Sequence, residues 1–232
     1  MFTVEGFKAT FEYWDLFREG IICTISLSAL TVLFGFILAL FLALMRMSRF
    51  RLLRGISTAY VELFRATPML VQILLIYNVV LAPFAIPHLK LFGFIRFERF
   101  LPGVVALSLN SGAYLSEIIR SGIQSIDQGQ MEASRSLGMN KVQAMRYIIL
   151  PQAIKNILPA IANEFVTIIK ESSICWIVGV QDIMAAVNAI KAATYSIGEP
   201  LIVATAIYFC LTFPTSKIIE YFERKMSRGD KR

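Results

Sequence analysis

Charge is what this sequence has least of. Asp, Glu, Lys and Arg make up 17% of its 232 residues, against a hydrophobic share of 56%, whereas soluble domains carry about 25% charged residues. A chain solvated by water needs charge to stay dispersed and a chain solvated by lipid does not, so composition points to a membrane protein. Histidine is almost missing: His88 stands alone, and one histidine does not make a metal centre. Cys23, Cys175 and Cys210 show no CxxC spacing; each sits in an apolar run and reads as a small buried hydrophobe. There is no GxxxxGK[ST] phosphate loop, no GxSxG, no HExxH and no pair of aspartates in adjacent apolar runs. An intramembrane enzyme therefore lacks its parts, so no catalytic residue, no metal ligand and no cofactor of the chain's own is expected. Repeats, low-complexity tracts and a soluble domain are missing as well. A cleavable signal peptide is not expected either, because the first twenty residues are mixed and charged.

What is present is a series of long apolar runs. Residues 21–45 contain no charge at all, and a helix of that length exceeds the roughly 30 Å of a bilayer's hydrocarbon core. Further spans are expected at about 56–81, 101–119, 148–169 and 201–219. The whole chain, 1–232, is then one all-α integral membrane domain of five transmembrane helices. In the second span Glu62 and Arg65 are spaced to pair, Pro68 and Gln72 interrupt the run, and Pro83 and Pro87 end it. Pro102 opens the third span, Pro159 lies within the fourth, and Pro200 and Pro214 flank and enter the fifth.

The net charge of +7 is clustered beside the spans. Arg46, Arg49, Arg51 and Arg54 follow the first, Arg120, Arg135, Lys141 and Arg146 separate the third from the fourth, and Arg224, Lys225, Arg228, Lys231 and Arg232 follow the fifth. With five spans these clusters share one side, which the positive-inside rule makes cytoplasmic. The N-terminus is then outside and the C-terminus inside. Lys90, Arg96 and Arg99 stand against that pattern, being basic yet assigned outside. Nucleic-acid binding is not expected, since no basic face carries base-reading partners.

Residues 120–147 are longer than a connection needs and carry ordered local signals. Asp127 followed by Gln130, and Asn140 followed by Gln143, are capping-box patterns, and Gly138 suits a left-handed C-terminal cap. A short helix over about 128–137 would project Met131, Ala133, Ser134 and Leu137. It is either a tidy interfacial hairpin or a docking helix for a cytoplasmic partner.

Polar residues inside the spans mark a second region. Gln152, Asn156, Asn163, Thr167 and Lys170 share one helical face, with Glu164 and Glu171 on the neighbouring face. Such groups are costly in lipid. They line an interior path, or hold a dimer interface, or lie at an exposed helix end; all three readings stay open. Asn110-Ser111-Gly112-Ala113 serves either close helix packing or a substrate site. Ser172 and Ser173 are candidates to meet a carboxylate, and Glu164, Glu171 and Asp182 to meet cationic groups. Residues 179–198 carry Ile183, Val187 and Ile190 at helical spacing and form either a gate or a surface helix on the outer face.

Glu132-Ala133-Ser134, three residues, Gly138, nine residues and Ile148-Ile149-Leu150-Pro151 resemble the EAA motif of ABC importer permeases, with Ser134 in place of the second alanine. Glu62-Leu-Phe-Arg-Ala-Thr-Pro-Met-Leu-Val-Gln72, Ala113-Tyr-Leu-Ser-Glu-Ile-Ile-Arg120 and Asn163-Glu-Phe-Val-Thr-Ile-Ile-Lys-Glu-Ser-Ser173 look like the polar amino-acid branch of that family, which covers histidine, arginine and glutamine importers. The resemblance implies a type I importer permease in a prokaryotic cell membrane. It would be paired with a second permease, identical or different, above a dimer of cytoplasmic ABC ATPases that bind ATP and Mg, and an extracytoplasmic binding protein would deliver the amino acid. It makes 128–137 the coupling helix, with Met131, Glu132, Ala133, Ser134, Leu137 and Gly138 as the ATPase contact. Thr67, Gln72, Asn110, Ser111, Tyr114, Asn163, Glu164, Glu171, Ser172 and Asp182 are the substrate-binding candidates. A self-sufficient channel or carrier would leave the capped hairpin without a purpose.

Overall fold

A computed structural model describes residues 3–227; the basic residues Arg228, Lys231 and Arg232 lie outside the described residues. Among the described residues the regular structure is helical apart from a two-stranded hairpin. Helix α1 (Val4–Glu12) is capped by Thr3, whose hydroxyl accepts from the Gly6 N–H. It leads into α2 (Trp14–Arg46), which contains the expected first span. At 33 residues it is about 50 Å long, enough to cross a bilayer at a tilt and extend beyond it.

The expected second span is not one helix. It divides into α3 (Arg51–Ala66) and α4 (Met69–Leu75), with a π-helical turn over Ile76–Val80, and the two parts meet at 110°. Proline explains the break: Pro68 has no N–H to donate, and it drives Thr67 to an extended conformation (φ −111°, ψ 145°). Two hydroxyls fix α3 against its neighbours, Ser57 donating to the Leu42 carbonyl (2.7 Å) and Tyr60 to that of Leu109 (2.8 Å). Arg65 does not turn to Glu62; its guanidinium lies 5.5 Å from the centre of the Tyr114 ring.

Strands β1 (Lys90–Leu91) and β2 (Ile95–Arg96) pair antiparallel ahead of α5 (Phe97–Gln124). Helix α5 is the centre of the bundle and packs along α2. A Cβ on Gly112 would come within 2.8 Å of the Leu38 side chain, and one on Gly35 within 3.2 Å of Ser111. The small residues of 110–113 therefore permit helix contact. Because α5 is enclosed by protein, it tolerates polar residues. Among the described residues two helices are long and apolar enough to cross a membrane unaided, α2 and α10 (Gly198–Ser227), and two bent pairs can be counted with them. Protein around α5 replaces the lipid that would otherwise demand an apolar surface.

After α5 come α6 (Gln128–Ser136), α7 (Lys141–Ala144), a π-helical turn over Met145–Ile149 and α8 (Leu150–Glu171), which continues as a 3₁₀ turn, Ser172–Val178. Helix α9 (Ile183–Thr194) buries Ile183, Val187 and Ile190 against α2 and α10, so 183–194 is a helix with an apolar face turned into the bundle. Of the cysteines, Cys23 and Cys175 are buried as expected, whereas Cys210 is exposed on the apolar flank of α10, where the membrane would cover it.

Candidate functional site

Two polar regions and one capped hairpin account for most of the sequence candidates. The first region sits at the break after α3. The Gln72 side-chain amide donates to the Phe64 carbonyl (2.8 Å), the Thr67 carbonyl (3.0 Å) and the Thr67 hydroxyl (2.8 Å), and its oxygen accepts from the Asn110 amide (2.8 Å). Pro68 and the helix ends leave the Phe64 and Thr67 carbonyls without helical partners, and Gln72 supplies them. Thr67, Gln72 and Asn110 are brought together, but their bonds are spent on one another, and Gln72 and Asn110 are buried.

The second region lies along α8. Glu164 Oε1 accepts from the Ser111 hydroxyl at 3.2 Å, joining α8 to α5. Asn156, Asn163, Lys170 and Glu171 are exposed, and Gln152 and Thr167 are half-buried. The stripe faces out of this chain and not into its own bundle. Its N-terminal half opens on a cleft of about 460 Å³ between α8 and α10, lined by Asn156, Pro159, Asn163, Ser216 and Glu220 among others.

Three candidates stand elsewhere. Ser172 is fully buried and donates to the Ile169 carbonyl, so its hydroxyl ends the helix and does not face a ligand. Asp182 is also buried; its carboxylate caps α9 by accepting from the Ala185 N–H at 2.8 Å, which removes it from the path. Tyr114 is half-exposed beneath Arg65.

The hairpin is built as a rigid projection. Asp127 accepts from the Gly129 N–H at 2.7 Å. That cap is one-sided, because the Gln130 side chain turns to Gln152 (3.5 Å). At the other end Gly138 takes φ +88°, a conformation that favours glycine. Its N–H bonds to the Arg135 carbonyl and that of Met139 to Ser134, the paired bonds of a Schellman cap. Asn140 and Gln143 then form a full capping box (2.9 Å each way). Glu132, Ala133 and Leu137 project, Leu137 at 83% exposure, and Met131 is half-covered. Ser134 does not project as expected: it is buried and donates to the Gln130 carbonyl, so a small residue there lets the helix pack on the next one.

Behind the hairpin stands a group the sequence reading missed. Glu117 of α5 pairs with Arg46 at the end of α2 and with Arg120, and Arg120 also donates to Gln124. Arg46 and Arg120 read as loop charges in the sequence. The available signal was Glu117, an acid close to the inner end of an apolar run.

Residues 31–228 match the model of a family described as the inner membrane component of binding-protein-dependent transport systems. The chain belongs to that family. The permease is 41% identical over 224 residues to the arginine transport system permease protein ArtQ of Bacillus subtilis, covering 97% of this chain and 98% of that one. It is 41% identical over 208 residues to the putative glutamine transport system permease protein GlnP of Rickettsia bellii (90% and 91% covered). Among solved structures, a chain of an amino acid ABC transporter crystallised with histidines superposes with a TM-score of 0.87 at 44% identity, covering 97% of the permease and 100% of that chain. A chain of the inward-facing MetNI methionine ABC transporter, at 18% identity and a TM-score of 0.67 over 90% of the permease and 96% of that chain, shares the fold. The architecture is thus that of an ABC importer permease, and the chain is a transport subunit, not an enzyme.

Proposed function

We propose that the permease carries amino acids, with a leaning to polar and cationic ones, across a prokaryotic cell membrane into the cytoplasm. It does so as half of a permease pair driven by a separate ATPase dimer and fed by an extracytoplasmic binding protein. The observation that carries this reading is the hairpin: a nine-residue helix stopped at both ends, with a carboxylate and an exposed leucine on its tip, is shaped to enter a groove on a soluble partner. In this reading the termini lie outside (N) and inside (C), five spans cross the bilayer with α3 and α4 as one broken span, and ATP with Mg stays on the partner. Closure of the ATPases pushes on α6. The Glu117 ion pairs tie α5, directly ahead of α6, to α2, so the push moves the bundle as a body between outward and inward openings.

The names of the relatives support an amino-acid cargo, arginine and glutamine among them. The open stripe on α8 supports a pair of permeases, since exposed Asn156, Asn163 and Lys170 are tolerable at membrane depth only against protein or a wet path. Glu164, held by one bond to Ser111, is the acid placed to accept an ammonium or guanidinium group. The test is reconstitution with the ATPase and binding protein, with uptake of a labelled amino acid competed by a panel. Gly138→Leu, or deletion of 130–137, should release the ATPase during purification. Retention of a fully coupled ATPase by both variants would overturn the reading.

A further inference from the structure

The first basic cluster of the chain does more than flank a span. Arg46 at the end of α2, Arg54 and Thr58 of α3, and Arg120 and Gln124 of α5 line one cleft of about 420 Å³, together with Met47 and Ser48. Every polar side chain in that lining carries a hydrogen-bond donor, and no acid is among them. Glu117 pairs with both Arg46 and Arg120, so one carboxylate meets three guanidinium groups. Arg54 has no ion pair among the described residues. Like charges gathered around one cleft repel unless an anion enters between them.

The start of α3 adds to this charge. A helix N-terminus favours acids in its first turn, yet α3 opens with Arg51-Leu-Leu-Arg54, has no acid there and no side chain capping it. Ser48 and Arg54, on either side of that helix start, both line the cleft. Depth narrows the choice of anion. The cleft opens at the end of α2, directly after the uncharged residues 21–45, where hydrocarbon gives way to headgroups. Apolar side chains are exposed on both sides of it in sequence, Phe41 and Leu44 before and Phe50, Leu52 and Ile56 after. A water-soluble anion has no use for an apolar collar. A phospholipid brings a phosphate and a hydrocarbon chain on one molecule.

We infer that this cleft binds the phosphate of an anionic membrane lipid, with Arg54 as its free charge, Arg46 and Arg120 beside it, and the acyl chains on the exposed apolar residues of α2 and α3. A guanidinium group matches phosphate oxygens with two parallel N–H bonds, and basic pockets between membrane helices suit anionic headgroups. The site holds whichever end of α2 is inside and whatever the cargo. It joins α2, α3 and α5 where α5 runs on towards the hairpin, so a bound lipid braces the same corner as the Glu117 ion pairs.

The experiment uses the assembled transporter, purified with its ATPase in a neutral detergent. Dioctanoyl phosphatidylglycerol is titrated against the unfolding temperature, with dioctanoyl phosphatidylcholine and inorganic phosphate as parallel probes. Phosphatidylglycerol should raise the unfolding temperature saturably, phosphatidylcholine much less, and inorganic phosphate at the same concentrations not at all. Arg54→Gln should move the phosphatidylglycerol midpoint up by roughly fivefold or more, while its unfolding temperature without lipid stays near wild type. Arg54→Lys should recover most of the response, which a folding defect would not allow. Arg51→Gln, next to the cleft but outside its lining, should respond as wild type. A wild-type midpoint in Arg54→Gln would overturn the inference. So would an equal loss in Arg51→Gln, which would assign the response to diffuse surface charge, or inorganic phosphate matching the lipid, which would assign the cleft to a free anion. Release of the ATPase by Arg54→Gln in the absence of lipid would also overturn it, by giving the cleft to the partner subunit.

Discussion

The break after α3 and the open face of α8 both put amide side chains at membrane depth, yet they use them differently. At the break, Gln72 has its donors and its acceptor engaged and is 6% exposed. Along α8, Asn156 and Asn163 are exposed, and Glu164 holds a single hydroxyl. A polar group in a span is therefore not by itself a sign of transport. A satisfied one replaces bonds that a proline removed, and a half-satisfied one facing out of the chain is available to another molecule. The difference can be broken by mutation, because the first kind should register in stability and the second in uptake.

The largest expected effect is on the satisfied side. Gln72→Leu takes the side-chain donor from the Thr67 carbonyl and leaves the Phe64 carbonyl and the Asn110 amide with only their 3.3 Å bond to each other. Bonds between membrane helices are worth about 0.6 to 2 kcal/mol each, so a loss of about 2 kcal/mol is expected, seen as a lower unfolding temperature of the purified complex. Uptake per folded transporter should hold. A stable variant that no longer transports would move Gln72 to the substrate path. Gly112→Val attacks the same side by packing: its Cβ meets Leu38 at 2.8 Å, and overpacking costs about 1–3 kcal/mol. Thermal melts should therefore rank it close to Gln72→Leu, again with transport per molecule intact.

On the open side, Glu164→Gln keeps shape and removes charge. Uptake of a cationic amino acid should fall about tenfold, equal to about 1.4 kcal/mol of binding, while the melting temperature and the co-purified ATPase stay as in wild type. Equal loss for a neutral amino acid would show that the carboxylate holds α8 to α5 through Ser111 and does not choose the cargo.

Which parts of this contrast the sequence could reveal follows from where the information lies. The hairpin was legible because caps are local: Asn140 with Gln143, and Gly138 after a short apolar-polar run, act within a turn of themselves. The proline break was legible for the same reason, but its 110° angle was not. Its direction depends on Gln72 reaching back to Phe64 and on Asn110 from another helix. Ser134, Ser172 and Asp182 were misjudged because exposure is a property of neighbours far away in sequence. Ser134 is covered where α6 packs on the start of the next helix, and Asp182 lies beneath α2, so close that a Cβ on Gly20 would come within 2.9 Å of its carbonyl oxygen. Likewise a helical stripe can be counted from spacing, but whether it faces its own bundle or a second chain is a tertiary fact.

The smallest expected effect separates the readings of that stripe. Asn163 is exposed, and its carbonyl accepts from Thr167, so Asn163→Ala leaves the helix bond in place and takes away only the amide. If the face lines a path, uptake should fall about twofold to fivefold, or about 0.4–1 kcal/mol, with the permease pair intact on size-exclusion chromatography. If the amide instead joins two permeases, the pair should loosen in detergent before uptake changes. No change in either measurement would place Asn163 against water at an open end of the cleft, and the polar path would then begin deeper, at Glu164. Because the amide carries no charge, the path reading predicts equal losses for cationic and neutral amino acids, the opposite of the pattern expected at Glu164.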